Sequence, residues 1–135
     1  MRPRWKIVVH CDSEDQRSLL GFVISTRLHA QTIDCNNTVE ILRIIADPTE
    51  VRCLLLVHTE TGSVLEMAAR IKKITDTNPN VPIVLLDPMN TCPAGSATVV
   101  LRGALNVPEL LESIGRVGVR KRGPKPAALV MAKAA

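Results

Sequence analysis

Residues 51 to 59 read VRCLLLVHT, and this stretch decides the fold of the chain. Residues 53 to 57 are all apolar, so both faces of the segment must be covered by other parts of the protein. Strands with this pattern lie inside parallel sheets, which carry helices on both faces. The stretch therefore predicts a central parallel strand, followed directly by the polar residues His58 and Thr59.

Four further segments, on either side of the central one, have the apolar and β-branched composition of short strands. They are KIVVHC at 6–11, QTIDC at 31–35, VPIVLLD at 81–87 and ATVVLR at 97–102. A helical repeat follows the first of them. Its buried face is expected to contain Leu19, Leu20, Val23, Ile24 and Leu28.

Each predicted helix begins with a residue suited to capping, followed three residues later by Glu or Gln. The pairs are Ser13 with Gln16, Asn37 with Glu40, Ser63 with Glu66 and Asn106 with Glu109. Strands that alternate with helices predict an α/β fold. We expect a five-stranded parallel sheet, doubly wound, in a three-layer (βα)5 sandwich.

The segment between Asp87 and Arg102, PMNTCPAGSATVVL, departs from this alternation. It leaves little room for a helix before the fifth strand, and Pro88, Pro93 and Gly95 discourage one. The fourth helix is therefore expected to be shortened or missing. Loss of a helix would leave apolar sheet surface uncovered, which favours self-association or a bound partner.

The composition narrows the classes of protein to which the chain can belong. Its 135 residues suffice for one domain with a real core, and with only 1% aromatic residues that core must be aliphatic. The same scarcity argues against a platform that stacks bases of single-stranded nucleic acid.

The four cysteines form no C-x2-C pair, which predicts free thiols in a reducing compartment. No segment is apolar for long enough to be a signal sequence or a membrane span, so we expect a cytoplasmic protein without membrane contact.

Charge divides the chain into an acidic domain and a basic tail. Residues 7–115 contain 8 basic and 13 acidic residues, whereas residues 116–135 contain 6 basic residues and no acid. We place the domain at residues 1–117 and a disordered tail at 118–135. The RKRGPKP motif resembles the basic Gly-Pro cores of minor-groove-binding hooks, which implies nonspecific DNA contact. Its candidate residues are Arg120, Lys121, Arg122 and Lys125, and the alternative is a solubilising tail.

Polar residues follow or end the predicted strands, and the carboxyl ends of parallel strands meet at one edge of a sheet. They are His10, Cys11, Asp12, His58, Asp87 and Arg102. His10, Cys11, His58 and Asp87 include the ligand types that zinc prefers. The alternative interpretation is that these side chains cap helices or face water.

The order and spacing of the segments, with KIVV first, CLLLV central, VPIVLL fourth and TVVLRG…PELLESI last, resemble a response-regulator receiver domain over residues 5 to 117. The resemblance implies a known set of site residues. Two acids after the first strand hold Mg²⁺, and an Asp ending the third strand accepts the phosphoryl group. A hydroxyl residue ends the fourth strand, and a Lys ends the fifth.

This sequence keeps little of that set. The acid pair falls on Cys11 and Asp12, the acceptor on Val57 or His58 depending on register, the hydroxyl on Asp87 and the lysine on Arg102. One carboxylate makes a poor Mg²⁺ site, so Asp12 is only a weak metal candidate and we expect no metal or cofactor. The resemblance thus implies an atypical, pseudo-receiver form of the flavodoxin-like fold, without aspartyl phosphotransfer.

A second resemblance concerns the start of the chain. Residues 11–18 spell C-x5-R-S and Asp87 precedes Pro88, as in low-molecular-weight tyrosine phosphatases. This resemblance implies Cys11 as nucleophile, Arg17 as phosphate clamp and Asp87 as general acid. The intervening DSEDQ carries three acids and no glycine, however, and would repel a phosphate.

The sequence therefore favours a non-enzymatic receiver-like regulator in two-component signal transduction or transcriptional control. It would act by binding a protein partner, or a second copy of itself. The first alternative is a small DNA-associated regulator anchored by its basic tail, and the second is a cysteine phosphatase.

Overall fold

The computed structural model of the protein describes residues 6–46 and 51–119. The strands are β1 (Lys6–Cys11), β2 (Gln31–Cys35), β3 (Cys53–Val57), β4 (Ile83–Asp87) and β5 (Val99–Arg102). The helices are α1 (Glu14–Leu28), α2 (Thr38–Ile45), α3 (Val64–Thr77) and α4 (Val107–Val119). No helix among the described residues is long and apolar enough to cross a bilayer.

The five strands form one parallel sheet in the order β2-β1-β3-β4-β5. All five residues of β3 are buried, as the unbroken apolar run of that segment predicts. The chain winds outward from β1 in both directions, so the strand order changes direction beside β1 and β3. Ligand sites of open α/β sheets lie at such a point, outside the carboxyl ends of the strands. The predicted doubly wound α/β class is confirmed.

Two hydrophobic clusters, one on each face of the sheet, form the core. The first contains residues of α1 and α4 packed on the sheet, among them Leu20, Ile24 and Ile114. The second contains residues of α2 and α3, among them Ile41 and Ile71. Successive strand residues alternate between these clusters because side chains of a strand point to opposite faces.

The helix starts follow from the predicted caps. In α1, α2 and α3 the capping side chains of Ser13, Asn37 and Ser63 accept the backbone N–H three residues later, at 3.3, 3.0 and 3.1 Å. Asn106 does the same at the start of α4, at 3.0 Å from the Glu109 nitrogen. Each contact satisfies one of the free N–H groups that every helix start exposes.

Residues 88–98 form turns and bends and contain no helix. The prediction of a missing fourth helix is therefore confirmed. The expected uncovered sheet surface is not found on β4, where Ile83 and Leu85 are 2% and 0% exposed. Cys92, from the segment itself, packs into the cluster of α2 and α3. A non-helical segment thus covers β4 in place of the helix.

The last helix reaches Val119, two residues beyond the predicted domain boundary at 117. Val117, the last residue of the predicted domain, is 6% exposed and belongs to the first cluster. Residues 120–135, which include the four candidate nucleic-acid contacts of the tail, lie outside the described residues.

Candidate functional site

Four strand-end residues form a row across the carboxyl edge of the sheet. Cys11 pairs with Val57, so the next residues of the two strands, Asp12 and His58, are neighbours. The His58 N–H donates to the Leu86 carbonyl at 2.9 Å, which aligns His58 with the end of β4. Asp87 pairs in turn with Arg102. The row, Asp12–His58–Asp87–Arg102, contains four of the predicted site residues.

The other two residues of the predicted receiver pocket, Cys11 and Val57, face the opposite side of the sheet. Cys11 and Val57 are both buried in the cluster formed with α1 and α4. His58, one residue beyond Val57, is 3% exposed and lies beside Asp87. Of the two positions that the sequence left open for a phosphoryl acceptor, only His58 therefore lies in the row.

Asp87 and Arg102 form the main polar contact of the row. Arg102 Nη1 lies 2.6 Å from Asp87 Oδ2, and the side chains are 37% and 0% exposed respectively. Asp87 also accepts the backbone N–H groups of Thr91, at 3.2 Å, and of Cys92, at 2.9 Å. Arg102 donates to the Cys92 carbonyl at 3.0 Å as well. These bonds hold the first turn of the non-helical segment against the sheet.

The donor set does not fit Mg²⁺, the metal that a receiver fold implies. Mg²⁺ requires hard oxygen ligands in near-octahedral geometry. Asp12 offers a carboxylate that is 53% exposed, but Cys11, its neighbour, is a buried thiol on the other face. Asp87 Oδ2 accepts the Arg102 and Cys92 N–H groups, so Asp87 could add only its Oδ1 to the six hard oxygens that Mg²⁺ requires. The row therefore lacks the paired acids that hold Mg²⁺.

The four residues that the sequence suggested as zinc ligands, His10, Cys11, His58 and Asp87, do not form one group among the described residues. His10 Nδ1 is bound to the Cys35 carbonyl at 2.9 Å, and burial lowers the pKa of this imidazole. Among the described residues, the metal-compatible group instead joins His58 and Asp87 to Cys92. Sequence analysis missed Cys92. The available signal was its position five residues after Asp87, in a segment whose prolines and glycine discourage a helix.

The residues of the phosphatase motif do not converge on an anion. Residues 14–17 form the first turn of α1 and not a phosphate-binding loop. Burial raises the pKa of the Cys11 thiol, which disfavours a nucleophilic thiolate. Arg17 Nη1 donates to the Cys11 carbonyl at 2.8 Å. Asp87, the general acid of that motif, is engaged with Arg102 on the other side of the sheet.

An apolar groove of about 330 Å³ opens beside the row, between the first turns of α1 and α4 and the ends of β4 and β5. Leu19 and Leu105 lie on its wall and are 59% and 47% exposed. Leu19 was predicted on the buried face of α1, and that prediction is wrong. The helix turns this residue toward the groove, while Leu20 and Ile24 enter the core.

Comparisons with known proteins identify the fold. No protein-family model and no curated protein matches the sequence. A response-regulator receiver-domain protein from Clostridium thermocellum superposes with a TM-score of 0.72 at 15% identity, over 87% of this chain and 97% of that one. The CheY-like protein TadZ from Pseudomonas aeruginosa gives 0.67 at 15% identity, over 90% and 98%. The apo receiver domain of nitrogen regulatory protein C gives 0.69 at 17% identity, over 89% and 98%. The chain has the receiver fold.

Proposed function

We propose that the protein is a non-catalytic pseudo-receiver that regulates signal transduction or transcription by binding other proteins, without aspartyl phosphorylation. The observation that carries this proposal is the Asp87–Arg102 pair beside His58. In this row an imidazole occupies the place of the acceptor carboxylate. The cation that would contact a phosphoryl group is held by a buried carboxylate.

Phosphoryl transfer depends on positioning and on neutralising charge at the transferred group. Here the Arg102 guanidinium is paired at 2.6 Å, and the fully buried Asp87 places negative charge where the phosphoryl oxygens would lie. The row has no carboxylate in the acceptor position and no second acid to bind the metal, so we expect no phosphorylation there. The regulator we propose would therefore hold one conformation, set by the ion pair.

If phosphorylation does not change the conformation, we propose that the protein acts by binding a partner protein. Exposed apolar side chains support this proposal at the edge of the sheet. Leu19 and Leu105 lie on the apolar groove. A second, polar groove beside the row is lined by Asp12 and by Met89, which is 51% exposed. We propose that a partner protein in the cytoplasm inserts apolar side chains here. Self-association stays a prediction for the same surface.

Incubation of the full chain with acetyl phosphate and Mg²⁺ is expected to produce no acyl phosphate. Intact-protein mass spectrometry would show the mass of one phosphoryl group if labelling occurred. A receiver domain with the complete acid set serves as the positive control under identical conditions. A phosphorylated carboxylate on this chain would overturn the proposal.

The basic tail favours a second candidate function, a DNA-associated regulator. Residues 120–135 carry five basic side chains and no acid, so phosphate contacts would dominate and binding would be salt-sensitive. We predict that deleting 120–135 abolishes any retardation of duplex DNA. The deletion should begin after Val119, because the buried Val117 belongs to the core. Retardation that survives the deletion would place the DNA contact on the folded domain instead.

A further inference from the structure

His58, Asp87 and Cys92 bring three different ligand atoms together. One nitrogen, one carboxylate oxygen and one sulfur all lie within 4.8 Å of one another. All three residues are buried, at 3%, 0% and 3% exposure. The group joins the end of β4 and the residue after β3 to the non-helical segment. It lies on the face of α2 and α3, away from the Cys11 thiol.

The ligand types select a class of metal. Thiolate and imidazole ligands suit Zn²⁺ and similar transition metals, while Mg²⁺ and Ca²⁺ require oxygen. Tetrahedral zinc, with bonds of about 2.0–2.3 Å, places its ligand atoms roughly 3.3–3.8 Å apart. Because the three atoms lie no more than 4.8 Å apart, each separation needs to shorten by about 1 Å or little more to reach that geometry.

The hydrogen bonds around Asp87 leave one oxygen able to bind a metal. Oδ2 accepts from Arg102 and from the Cys92 N–H, whereas Oδ1 accepts only the Thr91 N–H, at 3.2 Å. Oδ1 therefore retains a lone pair. Bonds of this kind orient the carboxylates that ligate metals. His58 contributes a ring nitrogen that lies within 4.8 Å of the carboxylate oxygen and the sulfur.

Charge is compatible with a divalent cation despite the neighbouring guanidinium. With Cys92 as thiolate, the carboxylate and the sulfur contribute two negative charges against the one positive charge of Arg102. Before metal binds, burial and then the charge of Asp87 raise the pKa of the Cys92 thiol, which Arg102 opposes. A cysteine binds a metal as its thiolate, so metal binding at Cys92 releases the thiol proton to solvent.

We propose that His58, Asp87 and Cys92 form a site for a transition metal of the zinc class. Three protein ligands leave a fourth position, as in zinc sites that bind water or substrate. His58 also lines the polar groove that contains Asp12, Thr59 and Met89. The metal ties the non-helical segment to the sheet. This inference does not depend on the loss of phosphotransfer, because metal binding and aspartyl labelling are measured separately.

Cobalt titration of the metal-free full chain tests the proposal. Co²⁺ is expected to bind one equivalent, with a thiolate-to-cobalt charge-transfer band and release of about one proton per metal. Zn²⁺ should displace it and remove the band. Cys92→Ser should abolish the charge-transfer band, and His58→Gln should weaken Co²⁺ binding about tenfold or more. Zn²⁺ should protect Cys92 from alkylation in the unmodified protein, a readout that needs no variant.

Cys35→Ser is the matched control, because Cys35 is equally buried on the same side of the sheet but lies outside the group. Its cobalt spectrum should match that of the unmodified chain. Thermal unfolding of each metal-free variant shows whether it is folded. The proposal is wrong if the unmodified chain gives no charge-transfer band, if Cys92→Ser keeps the band, or if Zn²⁺ leaves Cys92 open to alkylation.

Discussion

Replacing Arg102 with methionine is expected to lower the free energy of unfolding by about 3 kcal/mol, because it leaves a buried carboxylate without its cation. Asp87 is 0% exposed and accepts the Arg102 Nη1 at 2.6 Å. The substitution also removes the bond to the Cys92 carbonyl. Methionine keeps the apolar stem of arginine, so the measured loss would report chiefly on charge and hydrogen bonding. Urea unfolding followed by circular dichroism measures it.

Arg116→Met is the matched control for this prediction. Arg116 pairs with Glu112 at 3.0 Å, but both side chains are 68% exposed, so the loss should be about 0.5 kcal/mol or less. The double variant Asp87→Asn/Arg102→Met should be more stable than Arg102→Met, since it leaves no unpaired buried charge. Equal stability of Arg102→Met and Arg116→Met would show that the buried pair does not stabilise the fold.

Leu55→Ala is expected to lower the free energy of unfolding by about 3–4 kcal/mol. Leu55 is 0% exposed at the centre of β3 and packs into the cluster of α1 and α4. Removal of its side chain leaves a cavity between the sheet and two helices, which a rigid central strand cannot close. The loss is again measured by urea unfolding, as a lower midpoint concentration with an unchanged slope of unfolding free energy against urea concentration.

Leu65→Ala is the control for cavity formation. Leu65 lies in α3 and is 81% exposed, so its truncation should change stability by no more than about 0.5 kcal/mol. A loss as large as that of Leu55→Ala would show that the Leu65 side chain is covered in solution, as it would be in a dimer.

The sequence predicted the fold well because its signals are local. The unbroken apolar run of β3 required helices on both faces, and the capping pairs marked the helix starts within a residue. The missing fourth helix followed from its prolines and glycine. Leu19 was placed wrongly because it adjoins the apolar stripe of α1, whose buried residues are Leu20, Gly21 and Ile24.

The candidate site was harder to predict because it depends on register and on the path of an irregular segment. Strand ends indicated Asp12, His58, Asp87 and Arg102, but alternation alone could not choose between Val57 and His58. In the structure Val57 packs into the cluster of α1 and α4, and His58 lies in the row. Cys92 could not be placed, since nothing in a turn-rich sequence fixes where its side chain returns to the sheet.

The non-helical segment also offers a position where inserted residues can be tolerated, in evolution or in protein engineering. Its anchors lie at the Asp87 contacts and Cys92 near one end and at Thr98, which is hydrogen-bonded to Ile83, at the other, and residues 93–96 between them are all exposed. Closure entropy rises only slowly with loop length, so inserted residues there add little penalty. We therefore expect that a peptide tag or a lineage-specific insertion at this position would leave the anchors at both ends of the segment in place.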